Sequence, residues 1–258
     1  MKGVIKIDNS FNAVLCKICK TQKYVDDFIG GHLFMSTYKN IQNMEGATEM
    51  SEDQEDFVDG AEFYCKNTND KIWVNSTDQN GNFYFKCIDR DPEHKPSIEF
   101  AVRHRKEDEY KNIFCLYSLL QNKLKQTIIS PNPKLEKTFG EYCVVINDPN
   151  EFLRRIFKAS EKLLLKSRAV FGFITYVNDE DKPAIMLNPF EKLKRFIYQN
   201  EARFVLDING QKSNLQYFEV GDLSDIVQLV STKDLVYNAR LINGNLYIGD
   251  KFICNGGK

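Results

Sequence analysis

Histidine is scarce in this chain, with three in 258 residues, and there is a single tryptophan. His32, His94 and His104 are too few and too scattered for a His-rich metal centre. No apolar run approaches the roughly 18 residues of a membrane span. The opening MKGVIKIDNS lacks the apolar core of a signal peptide. These absences lead to the expectation of a soluble, cytoplasmic protein. There is no Walker loop, GxGxxG, GxSxG or HExxH, which leaves P-loop, dinucleotide-fold, α/β-hydrolase and zincin chemistry without a motif. An excess of one charge is also missing. Thirty-five basic residues face 36 acidic ones, for a net charge of -1. That argues against bulk electrostatic attraction to nucleic acid, although a local basic face stays open. No repeat, low-complexity tract or Pro/Gly/Ser linker cuts the chain, so one domain over residues 1–258 is expected.

What is present is ordinary for a globular protein. Apolar residues make up 42% and aromatic residues 12%, which excludes global disorder. The seven cysteines are dispersed and odd in number, the pattern of reduced thiols and not of a disulfide framework. Cys16-Lys17-Ile18-Cys19 forms a CxxC without a second ligand pair. On a strand, positions i and i+3 point to opposite faces, so these two thiols should not converge. No metal is expected.

Strand signals dominate. Ala13–Lys20, His32–Thr37, Lys71–Ser76, Phe83–Ile88, Ile98–Val102, Ile113–Tyr117, Glu141–Ile146, Ala169–Val177, Ala202–Ile208 and Asn214–Val220 read as strands. Asp78-Gln79-Asn80-Gly81 is a hairpin signal. Thr21 is a helix N-cap, with Tyr24, Val25 and Phe28 on one face and Gly30-Gly31 as the stop. Asp148-Pro149 starts a helix reaching about Lys166. Phe152, Ile156, Leu163 and Leu164 mark its buried side. Its Arg154, Arg155, Lys158 and Lys162, with Lys166 and Arg168 beyond, form either a solvated face or a phosphate-attracting rim. Asn188-Pro189 should open a short helix to about Tyr198. Gly221–Tyr237 should hold one or two short helices, and Arg240–Cys254 a terminal hairpin about Asn243-Gly244. Glu45–Glu62 contains eight acidic residues and no basic one, an acidic surface insertion. The fold class expected is α+β with a largely antiparallel sheet.

The most informative stretch is FEKLKRFIYQNEARFVLDI, Phe190–Ile208. With period 2, Gln199, Glu201, Arg203 and Val205 share one strand face, and Ala202, Phe204 and Leu206 the other. Gln199 and Glu201 then either reach into one cleft, or are a surface Gln beside a Glu201–Arg203 contact. Ser36-Thr37-Tyr38, after the Gly-Gly stop, offers hydroxyls that either pack beneath a ligand ring or cap a turn.

Taken in order, these segments resemble a bacterial and phage family of unknown function related to ADP-ribosyltransferase-like folds. Leu15-Cys16-Lys17-Ile18 is similar to the opening strand, and Tyr24–Gly31 with Leu33-Phe34-Met35-Ser36 to the helix, Gly and Leu-Phe-x-Ser strand. Asn112–Ser118 is similar to a mid-chain Cys-x-x-Ser strand, Gly140–Arg155 to the next strand and helix. Phe196-Ile197-Tyr198-Gln199-Asn200-Glu201-Ala202-Arg203 resembles the Tyr-Gln-x-Glu-x-Arg signature. The resemblance implies a split, largely antiparallel sheet with a few flanking helices, and NAD as substrate. Lys17, in place of Arg or His, would hold the adenosine side of NAD. Ser36 and Tyr38 would support the nicotinamide. Glu201 would stabilise the oxocarbenium-like ribose, and Gln199 would position the acceptor. It further implies a toxin or phage-defence effector that modifies a macromolecule, protein or nucleic acid, under an antitoxin or other regulator. The contrasting reading is a non-catalytic, phage- or host-encoded interaction protein that binds through the acidic segment or the basic helix.

Overall fold

Alternating apolar residues on five long strands build the centre of the molecule. A computed structural model describes residues 13–37, 61–66, 71–77, 83–89, 100–104, 110–120, 131–163, 168–178, 184–185, 187–207, 217–242 and 245–255. Within them, in chain order, lie β1 (Ala13–Cys19), α1 (Gln22–Ile29), β2 (His32–Phe34), β3 (Ser36–Thr37), β4 (Ala61–Lys66), β5 (Lys71–Thr77), β6 (Phe83–Asp89), β7 (Phe100–His104) and β8 (Asn112–Leu120). Then come α2 (Lys134–Phe139), β9 (Tyr142–Ile146), α3 (Pro149–Leu163), β10 (Arg168–Phe173), β11 (Thr175–Val177), β12 (Ala184–Ile185), β13 (Glu191–Leu193), a 3-10 helix (Lys194–Gln199) and β14 (Glu201–Asp207). The chain continues through β15 (Tyr217–Glu219), β16 (Val227–Ser231), α4 (Thr232–Asn238), β17 (Ala239–Ile242), β18 (Asn245–Ile248) and β19 (Lys251–Asn255). The fold is α+β, with mostly antiparallel sheets and few helices.

The main sheet runs β10-β14-β8-β1-β9-β16, with β3 added beside β8. Every pairing in it is antiparallel. Smaller sheets are β12-β4-β7, β17-β18-β19, and the pairs β5-β6, β15-β2 and β11-β13, the last parallel. Strand alternation sends two apolar sets to opposite faces. Leu15, Phe114, Leu116, Val144, Ile146, Ala202, Phe204 and Leu206 pack with Val25 and Phe28 of α1 and Phe152, Leu153 and Ile156 of α3. Val14, Cys16, Tyr117, Leu119, Cys143 and Val145 pack with Leu135 of α2, Leu235 of α4 and Leu241, Leu246 and Ile253 of the C-terminal sheet. Burial on both faces explains why β14 is buried over Glu201–Leu206.

Local signals set the helix ends. The Thr21 side chain accepts from the Tyr24 amide at 3.4 Å, and Asp148 accepts from the Glu151 amide at 2.9 Å, each an N-cap. Val25 and Phe28 face the core as expected, but Tyr24 is exposed. Phe152 and Ile156 are buried as expected. The side chain of Leu163, and Leu164, lie outside the described residues. The basic side of α3 is largely paired at its start. Glu151 bonds both Arg154 and Arg155, and Arg155 also grips Asp225. Those arginine hydrogen bonds hold the Glu151 carboxyl down to about 2.

Several expectations are corrected. The short helix expected within 221–237 is α4, and it follows an edge strand, β16, over 227–231 that was not expected. β-branched Val227 and Val230 and the open edge of β9 favour that strand. The terminal hairpin is three strands, because Gly249-Asp250 makes a second turn. The helix expected after Asn188-Pro189 is a turn, a short strand and a 3-10 helix. The Asn188 side chain accepts from the Phe190 amide at 2.8 Å, which bends the chain before a helix can start. The segment 169–177 divides into β10 and β11 where the Ile174 amide turns to the Glu201 carbonyl. The acidic insertion expected over 45–62 runs into β4, which begins at Ala61. Residues 45–60, Tyr38 and the 78–81 turn lie outside the described residues.

Candidate functional site

Four charged or amide side chains meet under the main sheet, and all are buried. Lys192, Gln199 and Glu201 are nearly so and Arg203 has no exposed surface. β14 supplies Glu201 and Arg203 two residues apart, hence on one face. Arg203 Nε donates to Glu201 Oε1 at 2.5 Å, and its Nη2 to Oε2 at 3.3 Å, a two-pronged pairing. Lys192, from β13, donates to Glu201 Oε2 at 3.2 Å and to Gln199 Oε1 at 2.8 Å. Its ammonium also lies 5.1 Å from the centre of the Phe196 ring, a favourable place for a cation. Arg203 Nη1 donates to the Pro189 carbonyl at 2.9 Å. The Glu201 amide donates to the Tyr176 hydroxyl at 2.9 Å.

The backbone brings these groups together in an unexpected way. Gln199 is not on the strand; it ends the 3-10 helix, and Asn200 follows at φ 38°, ψ 54°. Asn tolerates this left-handed region better than most residues. The Asn200 carbonyl is held by both the amide and the hydroxyl of Ser118, each at 2.8 Å. That kink turns Gln199 back toward Lys192. A cover made of residues 174–178 and 187–199 closes over the cluster, with Leu187, Leu193 and Phe196 packed against Tyr176, Val177 and Tyr198. Gly172 lets it seat, since a Cβ there would come within 3.1 Å of the Phe190 ring.

Electrostatics keeps Glu201 charged. Burial pushes its carboxyl up, but the Arg203 and Lys192 charges, with the Arg203 hydrogen bonds, outweigh burial and hold it well below the usual carboxylate range. A carboxylate this acidic exchanges no protons near neutral pH. Burial beside Glu201 pushes the Cys115 thiol up to about 12, so it is no nucleophile at pH 7.

The remaining expected site residues are spread apart. Lys17 alternates with Leu15 and Cys19, which face the α1–α3 side. Its ammonium lies 4.6 Å over the Phe114 ring and donates to the Cys115 carbonyl at 2.9 Å. Glu201 pairs across from Tyr117, which belongs to the opposite core. The sheet thus stands between Lys17 and Glu201. Ser36 pairs with Ile113 at the far end of β8, four residues from Tyr117, or about 13 Å along the strand. Among the expected residues that are described, Gln199 and Glu201 are the two that come together. Sequence reasoning missed Lys192 and Tyr176; Lys192 stands among Glu191, Lys194 and Arg195, so no local signal marked it out. The chain matches no protein-family model, no curated protein and no solved structure.

The two cysteines of the CxxC separate as expected. Cys16 faces one core and Cys19 the other. A hydrogen bond to Cys143 and burial push Cys16 up, burial raises Cys19, and burial lifts Cys254 to about 12. Among the described residues no group of His, Cys, Asp and Glu is arranged to hold a metal, and no helix is long and apolar enough to cross a membrane. Per-site alkylation of the folded protein at pH 8, read by mass spectrometry, should leave Cys16, Cys19, Cys143 and Cys254 unlabelled until denaturant is added. Rapid native labelling of any of them would contradict their burial.

Proposed function

We propose that this is a binding protein without catalytic action of its own, which captures a macromolecule on an exposed face of its C-terminal sheet. The observation that carries this reading is the outer row Arg240, Tyr247 and Phe252, aligned across β17, β18 and β19. Phe252 is 48% exposed and Ile242 beside the row 49%. The state of Glu201 supports it from the other side. A carboxylate already neutralised by Lys192 and Arg203 has little field left for an oxocarbenium ion. Its contacts tie β14, the 3-10 helix, β13 and the Pro189 turn together, which is a positioning job within the fold.

A second reading retains one specific observation. Gln199 Oε1 and Glu201 Oε2 share one ammonium, that of Lys192, so the amide and carboxylate of a Gln-x-Glu pair do converge. On this reading the chain has an ADP-ribosyltransferase-like fold and splits NAD as a toxin or phage-defence effector. Lys192 would have to withdraw for ribose to approach.

One experiment separates the two. NAD labelled on the adenine side is incubated with the wild type and Glu201→Gln in cell lysate, beside calorimetry with NAD alone. The binding reading expects no heat of NAD binding, no turnover and no transferred label. Turnover by the wild type that Glu201→Gln abolishes, with both proteins folded by circular dichroism, overturns it in favour of the transferase.

A further inference from the structure

We infer that β16, at one edge of the main sheet, pairs with β16 of a second copy of this chain. The inference goes beyond the binding reading above and does not depend on it. β16 pairs with β9 on one side, and among the described residues no strand lies on its other side. The Asn147 amide donates to the Ile226 carbonyl at 2.7 Å, and the Thr232 amide to the Glu141 carbonyl at 2.8 Å. Both bonds fall on the β16–β9 register, and in an antiparallel ladder every second residue bonds to its neighbour strand. Gln228 and Val230 therefore turn their backbone groups to β9, while Val227, Leu229 and Ser231 turn theirs outward. Ser231 is the N-cap of α4, so its carbonyl serves the helix and its amide faces the edge.

Exposed edges are normally blunted by charge, proline or a bulge. Val227–Ser231 carries no charge and no proline, and its register with β9 runs without a shift. Leu229 is 43% exposed. β10, at the opposite edge, starts with Arg168 and sets Gly172 against the Phe190 ring of the cover.

The pattern on β16 is self-complementary, as a two-fold interface requires. Its outward residues are centred on Leu229. Antiparallel pairing about that residue sets Leu229 against Leu229 of the second copy, with a backbone bond in each direction. Each Ser231 amide then meets a Val227 carbonyl, and the two exposed leucine side chains cover each other. The same register brings Lys233, just past β16, to the end where Asp225 of the other copy precedes β16. Asp225 also holds Arg155, and Asp234 follows Lys233, so neither end collects a single sign of charge. A foreign peptide would need neither the centring nor the opposed flanking charges. Five residues at about 3.4 Å each make a seam of roughly 17 Å, short enough that the dimer should be weak and dependent on concentration.

Sedimentation velocity of the full chain between about 1 and about 300 μM should show a reversible monomer–dimer equilibrium with its midpoint in that range. Leu229→Lys sets two ammonium groups across the two-fold axis and should weaken dimerisation roughly tenfold or more. Lys233→Glu should weaken it several-fold. Both side chains are exposed, so thermal unfolding of the dilute variants should match the wild type, which separates a lost interface from a lost fold. The register has its own check. Residues facing each other in a bonded antiparallel pair lie about 5.5 Å apart at Cα, within disulfide reach. Under mild oxidation Leu229→Cys should give a disulfide dimer well above the wild-type background. Val170→Cys, at a position 45% exposed on β10, should not. A monomer at every concentration overturns the inference. So does a dimer unmoved by Leu229→Lys, or cross-linking of Val170→Cys as fast as that of Leu229→Cys.

Discussion

Replacing Glu201 with alanine should lower stability by about 3–5 kcal/mol, because it strands two buried cations. Arg203 has no exposed surface and Lys192 almost none, so neither can regain water without opening the cover. In a chain of this size the loss corresponds to a fall in melting temperature of roughly 6–20 °C. Glu201→Gln keeps the volume and one acceptor but removes the charge, and should lie between alanine and wild type. Urea unfolding at pH 7 checks the order. The triple replacement Lys192→Met, Glu201→Leu and Arg203→Met removes all three charges together and should recover a good part of the loss, since apolar groups of similar volume often replace buried ion clusters at little cost. A Glu201→Ala protein as stable as wild type would show that the cluster is not what holds the cover down.

The same cluster predicts a pH dependence. The folded carboxyl is held well below its ordinary value, while the unfolded chain titrates near about 4.3. A depressed carboxylate contributes its stability above the unfolded value. That contribution drains away as pH falls from about 5 toward the folded value. Glu201→Gln should therefore show a shallower acid limb than wild type, with the two curves converging at low pH. Activity data alone cannot make this distinction, since an unfolded variant is also inactive. Stability at several pH values can.

How much of this could be read from residues alone depends on which interaction decided each element. β1, β8, β9 and β14 were legible because two-residue alternation is a local property that the sheet preserves. Thr21 and Asp148 were legible because a cap acts within three residues. The opposed thiols of Cys16 and Cys19 followed from the strand period itself. The Glu201–Arg203 contact was legible too, as an i, i+2 pair on a strand, but its burial was not. Burial comes from the cover, whose path depends on Asn188 bending the chain and Asn200 accepting a left-handed turn. Lys192 reaches Glu201 only through that path. Likewise β16 was not legible, because its strand character comes from the open edge of β9, which no window around residues 227–231 reveals. Gln199 was placed on the right spot for the wrong reason: the kink at Asn200, and not strand alternation, delivers it.

Gly31→Ala should be the other severe substitution, costing about 3–5 kcal/mol. Two effects add at this position. Gly31 sits at φ +83°, a region that a side chain occupies only at a cost of about 1–2 kcal/mol. A Cβ there would also lie 2.0 Å from the carbonyl oxygen of Gly221. That neighbour is backbone, so no rotamer change relieves the clash. The crossing is pinned by the Val220 amide on the Gly31 carbonyl at 2.9 Å and the Leu223 amide on the Ile29 carbonyl at 2.8 Å. Relief therefore means parting β2 from β15, which would pull buried Leu33 and Phe218 out of the α1–α3 core. Gly221→Ala is the matched control. It has nearly the same dihedral, φ +85°, with nothing within 4 Å of an added Cβ, so only the backbone term of about 1–2 kcal/mol applies. Urea unfolding of the two variants isolates the steric term as their difference, and hydrogen exchange at residues 32–34 and 217–219 should rise in Gly31→Ala alone. Equal losses in the two variants would mean that the close crossing of the two glycines contributes nothing, and that backbone conformation is the whole reason for glycine at position 31.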